Sequence, residues 1–217
     1  FFFQDNSLKI INKKYNLNIN TDSSYFYPLE KSFFTKLKGY FNQENFQLAV
    51  LGVSKLLNID IEEIAKIAFD FNGLAGRMEE VKPKIIVDFA HTPDGMEKVL
   101  SSVKGDKIVV FGAGGDRDSS KRELMGQIAD RYANYIILTN DNPRNEDELN
   151  IIRDIEKGIK TKNYEIILDR EKAIKKAIKL QRENYIFILG KGDEKFIEKG
   201  GKRYLFRDKE VIKNILS

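Results

Sequence analysis

From residue 84 onward, short apolar runs rich in Ile and Val recur at Lys84–Val87, Ile108–Phe111, Tyr135–Leu138, Glu165–Leu168 and Tyr185–Leu189. Amphipathic stretches lie between them: Asp94–Val103, Lys121–Ala133, Asp147–Ile159 and Glu171–Arg182. The runs start roughly 20–30 residues apart, which is the spacing of βαβ units. Runs that are apolar throughout, rather than alternating, are buried on both faces. The pattern therefore predicts an α/β fold with a mostly parallel sheet flanked by helices. A last strand, Arg203–Phe206, and a helix from Asp208 are expected to close it. Lys172–Lys179 (KAIKKAIK) reads as a helix with a solvated lysine face and Ala/Ile turned inward.

The first 75 residues follow a different pattern. Partial alternation at Leu8/Ile10 and Tyr25/Tyr27 predicts short strands. A helix is expected from Asn42 or Gln43 to Leu57, with Phe46, Val50, Val53 and Leu57 at helical spacing. Asp60 is expected to cap a second one. Asn72-Gly73, Gly76 and Pro83 mark a linker, which divides the chain into regions 1–75 and 76–217. The charge divides at the same place. Residues 1–75 carry eight Lys, eight acids and no Arg, while all ten arginines lie beyond.

Composition narrows the chemistry. With no Cys and one histidine, His91, thiolate and multi-His metal sites and a thiol nucleophile are excluded. The net charge of +4 is interspersed, and no basic run is interleaved with aromatics, which argues against nucleic acid. No apolar run approaches the roughly 18–20 residues that span a bilayer, and nothing resembles a signal peptide. A soluble, cytoplasmic chain without membrane contact is expected. It opens Phe1-Phe2-Phe3 without an initiator Met, so an excised fragment is expected.

Ligands of open α/β sheets bind beyond the carboxyl ends of the strands. Those ends read DFAHTPD (88–94), GAGGDRD (112–118), TNDNPR (139–144) and GKGDE (190–194). In the second, Arg117 stands where a dinucleotide fingerprint needs its third glycine, so NAD is rejected. Either the glycines let the backbone approach a ligand that Arg117 reaches, or Arg117 pairs with Asp116 or Asp118. In the third, Arg144 can fork onto a carboxylate and Asp141 can accept from an ammonium. The alternative is a turn in which Asn145 or Asp147 caps the next helix. His91 beside Asp88 is a candidate base or a structural pair. GKGDE is either a charged ligand loop or an exposed turn.

Taken together, GRMEE (76–80), DFAHTPDGMEKVL (88–100), FGAGGDRDSSKRELMG (111–126), TNDNPRNED (139–147) and GKGDE (190–194) resemble the carboxyl-terminal domain of the Mur ligases. Within that family they are similar to the ligases that add the third residue of the peptidoglycan stem peptide. The resemblance covers residues 39–217. It implies a Rossmann-like sheet in 76–217, preceded in 1–75 by a partial α/β remnant of the family's central ATPase domain. It also implies an ATP-dependent, amide-forming ligase with Mg in the full-length enzyme, working on UDP-N-acetylmuramoyl-L-alanyl-D-glutamate as a monomer.

Carried over by position, Arg117, Asp141, Asn142, Arg144, Gly190 and Glu194 are implied contacts of a diamino diacid, meso-diaminopimelate or an isostere such as lanthionine. Asn45, Arg77, Asp88 and His91 are implied to lie near the nucleotide. No residue is implied to be catalytic or to bind metal. The phosphate-binding loop, the magnesium-binding acid and the carbamylated lysine are expected upstream, so this chain alone is expected to be inactive and to hold no nucleotide tightly. Two positions depart from the family pattern: Asp193 stands for the usual His, and Glu123 for a usual Pro. A lysine-adding or folylpolyglutamate-type ligase and a stand-alone amino-acid-binding module are the alternatives. Arg144 and GGDRD argue against the two ligases.

Overall fold

The computed structural model describes residues 9–12, 24–27, 37–68, 70–161 and 163–217. Leu8 lies outside them. The chain divides into two compact units, Phe1–Asn72 and Gly73–Ser217.

In the first unit, β1 (Lys9–Asn12) and β2 (Ser24–Tyr27) pair in parallel. Helix α1 (Tyr40–Leu57) begins two residues before the expected start, directly after Gly39 at φ +83. It ends on Asn58 in the left-handed conformation, which Asn tolerates better than most residues. Its buried residues are Val50, Leu51 and Ser54, whereas Val53 and Leu57 are exposed. The 3.6-residue stripe is therefore turned by one position from the expected one. Asp60 does cap α2 (Ile61–Ala68), accepting from the Glu62 N–H at 2.7 Å.

The second unit holds a six-stranded sheet built from β3 (Glu79–Lys82), β4 (Ile85–Asp88), β5 (Lys107–Phe111), β6 (Tyr135–Leu138), β7 (Tyr164–Ile166) and β8 (Tyr185–Leu189). Its order is β3-β4-β8-β5-β6-β7, and every pairing is parallel except the β3–β4 edge. Between the strands run α3 (Pro93–Ser101), α4 (Ser120–Tyr132), α5 (Glu148–Glu156) and α6 (Arg170–Leu180). A hairpin, β9 (Phe196–Lys199) and β10 (Lys202–Leu205), and then α7 (Asp208–Leu216) complete the unit.

Side chains alternate along each strand, so each face needs its own cover. Ile85, Val87, Ile108, Val110, Ile137, Ile186 and Ile188 cluster with Ala173, Ile174 and Ala177 of α6 and Ile212 of α7. The opposite parity (Ile86, Val109, Phe111, Leu138, Phe187 and Leu189) is fully buried as well. The apolar faces of α3, α4 and α5, which pack in a row, supply that second layer. Right-handed crossovers account for the split, because the chain advances from β4 to β7 and then turns back to insert β8.

Two expectations are corrected. The strand expected at Arg203–Phe206 does not join the sheet; as β10 it pairs only with β9. Residues 79–82, which sequence placed in the linker, form the antiparallel edge strand β3.

Candidate functional site

Because β8 inserts between β4 and β5, the loops leaving β5, β6 and β8 converge at the carboxyl edge of the sheet. Their glycines are needed for close approach. A Cβ on Gly112 would overlap the Thr139 carbonyl oxygen, and one on Gly115 the Pro143 carbonyl oxygen. The loops interlock further through Gly115 N–H, which donates to Asn142 O at 2.9 Å.

Arg144 occupies the left-handed region at φ +53, which a long side chain adopts only when its surroundings impose it. Here the hairpin does so. Arg144 N–H donates to Glu198 O at 2.9 Å, and Gly200 N–H donates to Arg144 O at 2.7 Å. The guanidinium Nη1 donates to Gly115 O at 2.8 Å, and Nε lies 3.4 Å from Glu198 Oε2. Nη2 donates no hydrogen bond among the described residues.

Arg117 is exposed and has no hydrogen bond or ion pair among the described residues. The expected alternative, pairing with Asp116 or Asp118, is not formed. Asp116 accepts from Asn145 instead, at 2.9 Å from its Nδ2, and Asp118 accepts from Ser120. Asp147, not Asn145, caps α5.

The reading of GKGDE as an exposed turn is overturned, because Lys191 is fully buried. Its Nζ donates to Glu194 Oε2 at 2.8 Å, Phe196 O at 2.7 Å and Asn142 Oδ1 at 3.2 Å. Asn142 Nδ2 donates to the same Glu194 oxygen at 2.8 Å, and its Oδ1 also accepts from Glu198 N–H at 2.9 Å. Burial pulls the Glu194 carboxyl upward. The hydrogen bonds from Lys191 and Asn142 and the charges of Lys191 and Arg144 outweigh it, so the group sits below the usual carboxylate range.

Asp141 is buried with no hydrogen-bond donor to its carboxylate among the described residues. Burial raises its pKa, against the pull of Arg170 and Lys191. Gly190, at φ +108, leaves room for Asp141; a Cβ there would strike Asp141 Oδ2. Behind them Arg170 grips Asp208 through two 2.8 Å bonds and also donates to Asn140 O and Leu189 O, tying the ends of β6 and β8 to the start of α7.

Asn142, Arg144 and Glu194 line one cleft of about 210 Å³ with Lys195, Phe196, Glu198 and Arg203. Glu194 also borders a second hollow, with Leu74, Ala75, Arg77, Phe89 and Asp193. There the Arg77 guanidinium sits 4.4 Å from the centre of the Phe89 ring. Asp88 is buried and accepts from Met78 N–H and Ala90 N–H, both at 2.7 Å; burial nonetheless raises its pKa. It is thus a strap for the chain before and after β4. His91 is exposed, its Nδ1 2.8 Å from Phe89 O, and it does not pair with Asp88. Asn45 is exposed on α1 of the first unit. Asp193 is paired with Arg207 at 2.9 Å.

Sequence reasoning missed Lys191, Phe196, Glu198 and Arg203. Only Lys191 carried a signal, a lone cation between two glycines at a strand end.

The chain has counterparts among known proteins. Residues 76–192 match the family model described as "Mur ligase, glutamate ligase domain". The chain belongs to the Mur ligase family. Among curated Mur ligases, it is 48% identical over 183 residues to the UDP-N-acetylmuramoyl-L-alanyl-D-glutamate–2,6-diaminopimelate ligase of Helicobacter pylori, covering 82% of this chain and 41% of that one. To the enzyme of the same name from Wolinella succinogenes it is 41% identical, over 99% of this chain and 57% of that protein. A solved structure, again of a ligase so named, superposes with a TM-score of 0.64 at 34% identity, covering 85% of this chain and 40% of that one. The chain spans about half the length of the curated Mur ligases it matches.

Proposed function

We propose that residues 73–217 are the amino-acid-binding domain of an ATP-dependent ligase that joins a diamino diacid, meso-diaminopimelate, to UDP-N-acetylmuramoyl-L-alanyl-D-glutamate. The observation that carries this reading is the cleft beside Arg144, whose Nη2 donates no hydrogen bond among the described residues, with Arg117, unpaired among the same residues, on the interlocked loop. The Nη2 edge of Arg144 and the exposed Arg117 guanidinium suit a carboxylate, and Glu194 suits an ammonium. Lysine has no second carboxylate, so it would leave these cations unanswered. The relatives' names, which specify 2,6-diaminopimelate, support the same substrate.

In this reading the domain holds the amino acid so that its free amine meets an activated carboxyl group, and its contribution is orientation and electrostatics. ATP supplies the activation. Arg77 and the hollow beside Phe89 border the nucleotide, and Asp88 holds that rim in place. His91 is assigned to the same neighbourhood without a chemical role, and Asn45 is assigned to the nucleotide by the family resemblance alone. Asp141 and Gly190 back the amino-acid cleft. Among the described residues no cluster of three or more His, Asp or Glu is placed to hold a metal, so magnesium is assigned no residue and no step here. No helix of the described residues is long and apolar enough to cross a membrane. The protein is proposed to work in the cytoplasm as a monomer, without nucleic acid.

Calorimetric titration of this chain with meso-diaminopimelate and with L-lysine tests the proposal. Binding of the diacid alone, lost in Arg144→Ala, is the expected result. Equal binding of both amino acids would overturn the specificity.

A further inference from the structure

A fully buried ammonium is costly unless every proton finds an acceptor. Lys191 meets that condition: its three donors go to Glu194 Oε2, Asn142 Oδ1 and Phe196 O, and none is left for a ligand. This arrangement has two consequences for the cleft.

The first concerns Asn142. Its Oδ1 faces two donors, Lys191 Nζ and Glu198 N–H, so a flipped amide would set NH2 against both. The amide is locked, with one Nδ2 hydrogen on Glu194 and the other without an acceptor among the described residues. The second concerns Glu194. Both protein donors converge on Oε2, leaving Oε1 with no donor among the described residues. Asn142 and Glu194 both line the cleft, whereas Lys191 does not.

We propose that Lys191 is a positioning residue, fixing the Asn142 amide and the Glu194 carboxylate so that one N–H and one bare oxygen are left together for an amino-acid headgroup. The identity of that ligand rests on the function proposed above; the arrangement of the three side chains does not. The free oxygen takes the ammonium and the free N–H takes an acceptor beside it. Lys191 acts only through its neighbours.

The charged groups around Glu194 set what a titration would read. They are Lys191 of its own loop, Asp141 and Arg144 after β6, Arg170 of α6, and Lys195, Glu198 and Arg203 around the cleft, with Arg77 and Asp193 on the other side. Lys191 is the cation that touches Glu194.

The test is a carboxyl NMR titration of the 13C-labelled chain, with the Glu194 signal assigned by its loss in Glu194→Gln, alongside calorimetry. In the wild type, Glu194 is expected to titrate below the ordinary glutamate range. In Lys191→Met its midpoint should rise by about one pH unit or more. Diaminopimelate affinity of Lys191→Met should fall about tenfold at pH 7, where Glu194 is ionised in both proteins, and the gap to wild type should widen as the pH falls through the variant's midpoint. A variant midpoint equal to wild type, or a variant affinity equal to wild type at pH 7, would overturn the proposal. If Lys191→Met does not fold, the wild-type midpoint decides: at or above the ordinary glutamate value, the proposal fails. If the wild type binds no diaminopimelate, the functional reading falls and the NMR arm still judges Lys191.

Discussion

Arg122 and Glu146 meet through two parallel bonds, Nη1 to Oε1 at 2.6 Å and Nη2 to Oε2 at 2.7 Å, on a guanidinium that is 1% exposed. Nη2 also donates to Gly114 O, and the same Glu146 oxygen accepts from Asp116 N–H. One ion pair therefore joins α4, the loop that carries Arg117 and the loop that carries Arg144. Glu146→Ala would leave the buried cation with Asp154 alone, 3.1 Å away. The expected loss is about 2–3 kcal/mol, less than for a fully buried pair because Glu146 is 29% exposed. Urea denaturation measures it.

Arg117 presents the opposite case. Among the described residues nothing bonds to its guanidinium, so Arg117→Ala should leave the stability within about 0.5 kcal/mol of wild type. Diaminopimelate binding should nonetheless weaken about tenfold or more, since a charge-assisted bond to a carboxylate is lost. Calorimetry and denaturation on the same sample separate the two effects.

Asp141 is a buried carboxylate that no donor among the described residues reaches, so its ionisation works against the fold. Its folded pKa is raised by burial above the unfolded value of 3.8. A raised carboxyl destabilises the folded state fully above its folded pKa, and the effect vanishes as pH falls below the unfolded one. Asp141→Asn should then stabilise the chain by about 1 kcal/mol at pH 7 and by nothing at about pH 3, while weakening the amino-acid site. Thermal melts at the two pH values give the answer.

Helices α4 and α5 touch through bare backbone. A Cβ on Gly126 would overlap the Ile155 carbonyl oxygen, and one on Gly158 the Glu123 carbonyl oxygen. Gly126→Ala should cost about 3 kcal/mol, because backbone on both sides must move. A shallower or split melting transition would show the helices forced apart.

The parts of the fold that a sequence states plainly are those where burial acts on consecutive residues. The apolar runs at 84–87, 108–111, 135–138 and 185–189 became β4, β5, β6 and β8 because both faces of each are covered. Edge strand β3, EEVK, has one half-buried face and two exposed residues, and so left no run to read. At β10 the extended conformation was legible and the partner was not. All four of its residues are exposed, so no buried face fixed which strand it joins. The site divides similarly. Motifs located Asn142, Arg144 and Glu194, which the fold does gather, but not the hairpin that holds Arg144, since β9 and β10 carry no polar signature of their own. Lys191 was hidden by its type, because lysine is rarely buried and only the three acceptors around it explain why this one is.

The strand order has a consequence for biosynthesis. β8 emerges from the ribosome after every other strand of the sheet, yet it sits between β4 and β5. Until residues 185–189 are made, β4 and β5 lack their common neighbour and expose unpaired edges flanked by Ile86 and Val109. A nascent chain halted before residue 185 is a sheet in two pieces, prone to adhesion at those edges. The segment that joins the halves also delivers Lys191 and Glu194, so the pocket and the finished scaffold arrive in the same few seconds of translation.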